Sequence, residues 1–135
     1  MRGIEHLNPI VREKAGKLLA LCKDAGLPVK ILDTLRTEAE QNAIPATNTN
    51  AKYPNSMHNW GLAFDFCRDS KMNTFDNSDK FFDKVAAIGK SVGLFWGGDF
   101  KTLKGDLGHL EDQTHGAIKN LISRWGTPKQ FIEYW

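Results

Sequence analysis

The sequence predicts an α+β fold in which helices lie toward both ends of the chain and short strands lie between them. Apolar residues recur with helical spacing near both ends, whereas alternating or β-branched segments occupy the middle. The strands and helices do not alternate regularly, as they would in a parallel α/β sheet. The length of 135 residues, with 41% apolar and 25% charged side chains, is typical of one globular domain, which we assign to residues 1–135.

The first helix is predicted from the pair Asn8-Pro9, which supplies an N-cap and a favoured first helical residue. Gly26 and Pro28 are expected to end this helix. Its apolar positions recur three or four residues apart and therefore share one face: Val11, Ala15, Leu18, Cys22 and Ala25.

The middle of the chain predicts strands. Val29–Leu35 is β-prone, a short helix follows around Thr37–Ala43, and residues 44–57, which are rich in proline and asparagine, are expected to form a loop. Gly61–Cys67 alternates in the manner of a strand. One face of that strand carries Leu62, Phe64 and Phe66, and the other carries Ala63, Asp65 and Cys67.

The second half of the chain also contains sequence patterns typical of helices and short strands. Ser78 is predicted to cap a long helix that Gly93 ends, with Phe81, Val85, Ile88 and Val92 on its apolar face. Short strands are expected at Leu94–Trp96, before a Gly97-Gly98 turn, and at His109–Glu111. Thr114 is predicted to cap a later helix, and Thr127-Pro128 to start a final short one. The inward side chains of the later helix are expected to be Ile118, Leu121, Ile122 and Trp125.

Composition excludes several classes of function. A net charge of +2 lacks the basic excess of a nucleic-acid-binding protein. No run of apolar residues approaches the ~18 that a membrane span needs. Residues 1–6 lack the apolar core of a signal peptide, so we expect no export address. Cys22 and Cys67 are too few for a disulfide framework and are expected to be free thiols in a reducing compartment.

Two segments carry the residues that suggest chemistry, Ser56–Asp65 and Gly105–Glu111. Together they supply two imidazoles and several carboxylates. Two histidines, one carboxylate and an open position form a common catalytic zinc arrangement. Spacing alone leaves the alternative of a loop histidine and a salt-bridged or capping aspartate. His58 and Asp65 are seven residues apart and would face opposite sides of a straight strand, so they converge only if the chain turns at Asn59–Gly61.

The pattern Ser56-x-His58-x-x-Gly61-x-Ala63-x-Asp65 resembles the signature of a family of zinc peptidases. This family comprises D-alanyl-D-alanine carboxypeptidases and dipeptidases, and phage L-alanyl-D-glutamate endopeptidases. Asp106-x-x-His109 is similar to its second element. The run Trp96-Gly97-Gly98-Asp99 is similar to the endopeptidase branch, and Arg36-Thr37 with Gln41 resembles an upstream element.

The resemblance implies a small central antiparallel sheet with flanking helices and one Zn²⁺ per chain. His58, Asp65 and His109 would bind the metal. Asp106 would be the general base, and Arg36 would polarise the scissile carbonyl or hold the developing oxyanion. Ser56 and Gln41 would help to position substrate.

Several neighbouring residues compete for these roles. Glu111 shares the strand face of His109 and could either replace Asp65 as a ligand or orient His109. Cys67 shares the face of Asp65 and could supply sulfur to the metal. His6 and His115 have no counterpart in the family and are interpreted as surface histidines. Asp99 is expected to order the glycine turn, whereas Trp60 and Trp96 could either line a peptide cleft or pack in the core.

The expected function is therefore hydrolysis of the L-alanyl-D-glutamate bond in the stem peptides of bacterial peptidoglycan by a monomeric endolysin-like enzyme. The expected location is the host cytoplasm, with action at the cell wall after release. D-alanyl-D-alanine carboxypeptidase activity is the first alternative. The second is a zinc-stabilised binding module without catalysis, because the signalling domain of hedgehog proteins resembles this fold.

Overall fold

The computed structural model describes residues 1–45, 51–101 and 105–135. The helices in these ranges are α1 (Pro9–Asp24), α2 (Glu38–Asn42), α3 (Phe81–Ser91), α4 (Ile118–Trp125) and α5 (Pro128–Glu133). The strands are β1 (Val29–Ile31), β2 (Ala63–Arg68), β3 (Phe95–Trp96) and β4 (His109–Glu111). Short 3₁₀ helices cover Ile4–His6, Met57–Trp60 and Gly97–Asp99. The predicted α+β class is confirmed.

The strands form one sheet in the order β1-β2-β4-β3, and every neighbouring pair is antiparallel. One face of this sheet packs into the hydrophobic core with side chains such as Phe64 and Leu110, both fully buried. Helix α3 packs closely against this face. At Gly89 there is little room for a side chain, since a Cβ there would lie 3.0 Å from the side chain of Leu110. The opposite face of β2 and β4 is left to carry polar side chains.

The helix starts predicted at Asn8-Pro9, around Thr37 and at Thr127-Pro128 are confirmed, and each has a capping side chain. Asn8 Oδ1 accepts a hydrogen bond of 3.0 Å from the Ile10 amide at the start of α1. Thr37 and Thr127 form capping boxes at α2 and α5 with Glu40 and Gln130. None of the helices in the described ranges is long and apolar enough to cross a lipid bilayer.

Two predicted helix starts were wrong. Ser78 does not cap α3, because its hydroxyl donates to Asp76 at 3.1 Å and the helix begins at Phe81. Thr114 does not cap α4, because its hydroxyl donates to the buried carboxylate of Asp112 at 2.7 Å. Both hydroxyls are satisfied by a side chain two residues earlier, which competes with capping.

The strand predicted for Val29–Leu35 is shorter in the structure and ends at Ile31. Beyond Ile31 the Leu32 amide and the Asp33 carbonyl still form hydrogen bonds of 2.8 Å with the backbone of Asp65 in β2. The amide of Thr34 then donates to the carbonyl of Met1 at 2.7 Å, so the chain pairs with the N-terminal segment from this point on. Ile122, predicted to face inward, is 38% exposed on α4. Of the predicted loop at 44–57, residues 46–50 lie outside the described residues, and a 3₁₀ helix begins at Met57.

The two cysteines are free and buried, with Cys22 1% and Cys67 2% exposed. We therefore expect neither thiol to react with a disulfide reagent such as dithiobis(nitrobenzoate) in the native protein, and both to react after denaturation. The absorbance of the released thiolate measures this directly. A denatured, unreduced chain with the mass of a molecule lacking two hydrogens would contradict the prediction.

Candidate metal centre and active site

The sheet register places Asp65 of β2 directly opposite His109 of β4, and Ala63 opposite Glu111. Side chains alternate along a strand, so these four residues share the face of the sheet that lies away from the core. Directly opposed residues of antiparallel strands have Cβ atoms only ~4.5–5.5 Å apart. Strand pairing thus brings together a carboxylate and an imidazole that are 44 residues apart in sequence.

His58 reaches the same place from the 3₁₀ helix Met57–Trp60, which precedes β2. Ser56 begins this turn with a capping box, in which its hydroxyl accepts from the His58 amide at 3.3 Å. Gly61 ends the turn with φ of 68°, in the left-handed region that glycine adopts without strain. The predicted turn between His58 and Asp65 is therefore confirmed, and it turns the imidazole back toward the start of the strand.

The three side chains form a compact cluster of potential metal ligands. Nε2 of His58 lies 3.1 Å from Oδ1 of Asp65, and Nδ1 of His109 lies 3.3 Å from the same oxygen. Tetrahedral zinc with bonds of ~2.0–2.1 Å needs ligand atoms about 3.3 Å apart. The donor set and its spacing fit Zn²⁺, and three protein ligands leave a position for water or substrate.

Each imidazole has a second partner that orients it. Nδ1–H of His58 donates to the Thr34 carbonyl at 2.8 Å, which leaves Nε2 to face Asp65. Nε2 of His109 lies 2.7 Å from Oε1 of Glu111, which leaves Nδ1 to face Asp65. Outer partners of this kind fix the tautomer of a ligating histidine. Of the two roles considered for Glu111, its position favours orientation of His109 over replacement of Asp65.

The electrostatics of the cluster favour a positive charge. Burial alone would raise the pKa of Asp65, but hydrogen bonds from His109 and His58 hold it well below its usual range. Burial alone would lower the pKa of His109, but its hydrogen bonds with Asp65 and Glu111 raise it to about 9. Two carboxylates thus stabilise a cation at this point, whether a proton or a metal ion.

Arg36 lies beside the cluster with its side chain 11% exposed. Nη2 is 3.3 Å from Oδ2 of Asp33 and 3.6 Å from Oδ2 of Asp65. These contacts hold the positive charge of Arg36 next to the potential metal site. Sequence reasoning missed Asp33, although its position three residues before Arg36 is a signal that could have identified it.

Gln41 is buried behind Arg36 and does not line the pocket described below. Its Oε1 accepts from Arg36 Nη1 at 3.1 Å and from Asn59 Nδ2 at 3.3 Å, and its Nε2 donates to the Ala51 carbonyl at 3.0 Å. That Gln41 helps to position substrate stays a prediction, and because its side chain contacts Arg36 rather than the pocket, this role would be exerted through Arg36.

We expect Gln41→Leu to lower kcat about tenfold while leaving the zinc content unchanged, because a hydrogen bond to a charged partner contributes roughly 1.5–3 kcal/mol. Gln41→Glu keeps an acceptor for Arg36 and should retain more activity than the leucine variant. Steady-state kinetics and metal analysis of both proteins test this. Equal activity in the leucine variant and the wild type would exclude a positioning role.

Asp106 lines the same pocket with an exposed side chain, three residues before His109. Its backbone is held against the Gly97 turn, since the Asp106 amide donates to the Gly97 carbonyl at 2.9 Å. A Cβ at position 97 would overlap the Asp106 carbonyl oxygen. The glycine at 97 therefore has a structural reason: it lets the segment that carries Asp106 lie close to β3.

The pocket around the cluster has a volume of about 520 Å³. Ser56, Arg36 and Asp106 line it together with the three potential ligands, so the predicted site residues other than Gln41 converge there. The described part of the predicted 44–57 loop supplies one wall. The sequence predicted no functional role for the remaining lining residues of other segments, of which Ile118 was expected only to face inward on its helix: Asp33, Phe100 and Ile118.

The other candidates lie outside this pocket as far as the structure describes it. Cys67 is opposite Lys30 in the sheet and does not belong to the ligand cluster. Trp60 and Trp96 pack in the core, with their Nε1–H groups donating to the carbonyls of Pro54 and Leu107 at 2.8 Å.

The remaining polar candidates also have partners of their own. Asp99 pairs with Lys90 at 2.8 Å. His6 and His115 are half-buried rather than fully on the surface, and His115 packs edge-on against Phe131 at 5.3 Å between ring centres. Neither histidine belongs to the ligand cluster.

Comparison with known proteins gives consistent results. Residues 49–112 match the D-alanyl-D-alanine carboxypeptidase family. The chain is 32% identical to the peptidoglycan L-alanyl-D-glutamate endopeptidase CwlK of Bacillus subtilis strain 168, over 78% of this chain and 72% of the relative.

Two solved structures share the fold at lower identity. The L-Ala D-Glu endopeptidase ChiX of Serratia marcescens superposes with a TM-score of 0.61, 19% identity and coverage of 80% of this chain and 81% of that one. The vancomycin resistance D,D-pentapeptidase VanY, in complex with Zn(II), superposes with a TM-score of 0.62, 13% identity and coverage of 93% and 83%.

Proposed function

The chain belongs to the metallopeptidase family described as D-alanyl-D-alanine carboxypeptidases, and from this premise we propose that it cleaves the L-alanyl-D-glutamate bond of peptidoglycan stem peptides. It is a zinc-dependent peptidoglycan peptidase. The observation that carries the choice of bond is the 32% identity with an endopeptidase of that specificity. The shape and charge of the pocket support it.

The pocket extends beyond the metal cluster. It shares Met57, Glu111 and Ile118 with a second cavity of about 410 Å³, so the walls continue past the reacting centre. A carboxypeptidase instead needs a closed end with a cation for the terminal carboxylate. Among the described residues that line the two cavities, Arg36 is the one lysine or arginine, and Asp33 and Gln41 already bind it. This favours a substrate chain that passes through the site.

His58, Asp65 and His109 would hold zinc, which when bound polarises a carbonyl and lowers the pKa of water. Asp106 would take the proton of the attacking water and deliver it to the leaving amine, because its carboxylate lines the pocket without serving as a ligand. Arg36 would stabilise the negative charge that develops on the carbonyl oxygen, because its guanidinium carries a positive charge. Ser56, at the pocket wall, would contact the substrate.

We expect digestion of purified cell walls to release new amino-terminal glutamate while the glycan strands stay intact. Dansylation or mass analysis of the muropeptides measures the new termini. A chelator-treated sample controls for contaminating activities. Release of free D-alanine without new amino-terminal glutamate would assign the protein to the carboxypeptidase branch, the second candidate, which the family match at residues 49–112 favours.

We further propose that this activity serves cell lysis, with the protein made in a bacterial host and acting on the wall after release, as an endolysin of a phage or prophage does. The Trp96–Asp99 run supports this proposal, because it resembles the endopeptidase branch, and that branch comprises the phage enzymes of the family. Loss of turbidity of permeabilised cells, with and without chelator, tests it. Cleavage of isolated stem peptides without lysis would leave the peptidase assignment in place and remove the lytic role.

A further inference from the structure

We propose that the second cavity, bounded by Met57, Glu111, Gln113 and the start of α4, is a subsite for a linear aliphatic side chain of the substrate residue next to the scissile dipeptide. The proposal rests on the proposed endopeptidase function and extends it, because it assigns a third substrate residue to a defined place. A peptide with such a residue would be bound and cleaved better than one with glycine there.

The position of the cavity gives the first argument. It opens from the metal pocket between Met57 and Ile118, with Glu111 at the shared border. Met57 immediately precedes His58, and Glu111 contacts His109, so the border lies directly beside the metal cluster. A substrate bound at the metal therefore has its neighbouring residue within reach of the cavity.

The chemistry of the walls gives the second argument. Met57, Ala117 and Ile118 form an apolar surface, and Met57 and Ile118 also pack against the hydrophobic core, which supports them from behind. A flexible thioether adapts to linear methylene chains. Glu111 and Gln113 are joined by a hydrogen bond of 3.1 Å at the polar side, where an amine at the end of a lysine-type side chain would stay hydrated.

The start of α4 forms one wall of the cavity and has no capping side chain. Ala117 occupies the N-cap, where serine, threonine, aspartate or asparagine would stabilise the helix, and no side chain caps it. Its small, exposed side chain leaves the cavity volume of about 410 Å³ free. A larger residue at this position would fill the proposed subsite without disturbing buried packing.

The test compares Ala117→Trp with a control, Ile122→Trp, which adds bulk on the exposed side of the same helix. The substrates are L-Ala-γ-D-Glu-L-Lys, its norleucine analogue and its glycine analogue. We expect wild type and the control to cleave the lysine and norleucine peptides about tenfold better than the glycine peptide, since several methylenes leave water. Ala117→Trp should cleave all three peptides at similar rates.

Equilibrium binding separates the subsite from the reaction. Calorimetry of the zinc-loaded proteins with the dipeptides γ-D-Glu-L-Lys and γ-D-Glu-Gly should show the same preference in wild type and its loss in Ala117→Trp. Equal binding of the two dipeptides by wild type, or an unchanged preference in Ala117→Trp, would overturn the subsite. Preferential binding without cleavage of any peptide would support the subsite and count against the proposed function.

Discussion

His58→Ala is expected to lose zinc and peptidase activity together. The variant removes one of the three groups in the ligand cluster, and Thr34 cannot replace it because its carbonyl lies on the far side of the ring. Loss of an outer partner of a ligand already costs about 10–100-fold in metal affinity, so loss of a ligand should cost at least ~100-fold. Metal analysis after dialysis and hydrolysis of wall peptides measure both effects.

His6→Ala is the matched control, since His6 contacts Glu5 outside the cluster. It should keep full zinc occupancy and activity. Full occupancy in His58→Ala would reject the ligand assignment, whereas loss of zinc in both variants would point to a general defect in folding. Circular dichroism of the two proteins distinguishes these cases.

Asp106→Asn is expected to keep zinc and to lose about 100-fold or more in kcat. Asparagine has nearly the volume of aspartate but cannot accept the proton, and general base catalysis typically contributes ~10²–10⁴-fold. The backbone that holds Asp106 against Gly97 is unchanged by the substitution, so the effect should come from the carboxylate. Steady-state rates and zinc content of the purified variant test both parts.

Asp99→Asn makes the same chemical change on the surface, where Asp99 pairs with Lys90 and does not line the pocket in the described part of the chain. Its activity should match wild type. If Asp106→Asn loses zinc, Asp106 is a ligand and the assigned roles are wrong. If it keeps both zinc and full activity, another group takes the proton.

The sequence predicted best those features whose causes lie within a few residues. Asn8-Pro9 and Thr127-Pro128 predicted helix starts correctly, because in each pair the first side chain accepts from an amide in the first turn of its own helix. Ser78 and Thr114 have the same local signal, yet Asp76 and Asp112 accept their hydroxyl protons. A residue pattern does not reveal which of two nearby acceptors a hydroxyl chooses.

The candidate ligands were also identified from sequence, through motifs whose residue types limit the chemistry. Their convergence, however, required a left-handed turn at Gly61 and the register that sets Asp65 opposite His109. The glycine could be read from the sequence as permissive for that turn. The register could not, because strand pairing depends on contacts between distant segments.

Sequence alone therefore determined the fold class, the set of potential metal ligands and the free state of Cys22 and Cys67. Tertiary structure decided which nitrogen of each imidazole faces Asp65, and that Gln41 contacts Arg36 from behind. It also decided that the pocket continues past Met57. The physical reason is range: side-chain chemistry and capping act within one or two turns, whereas orientation and cavities arise only when segments far apart in sequence pack together.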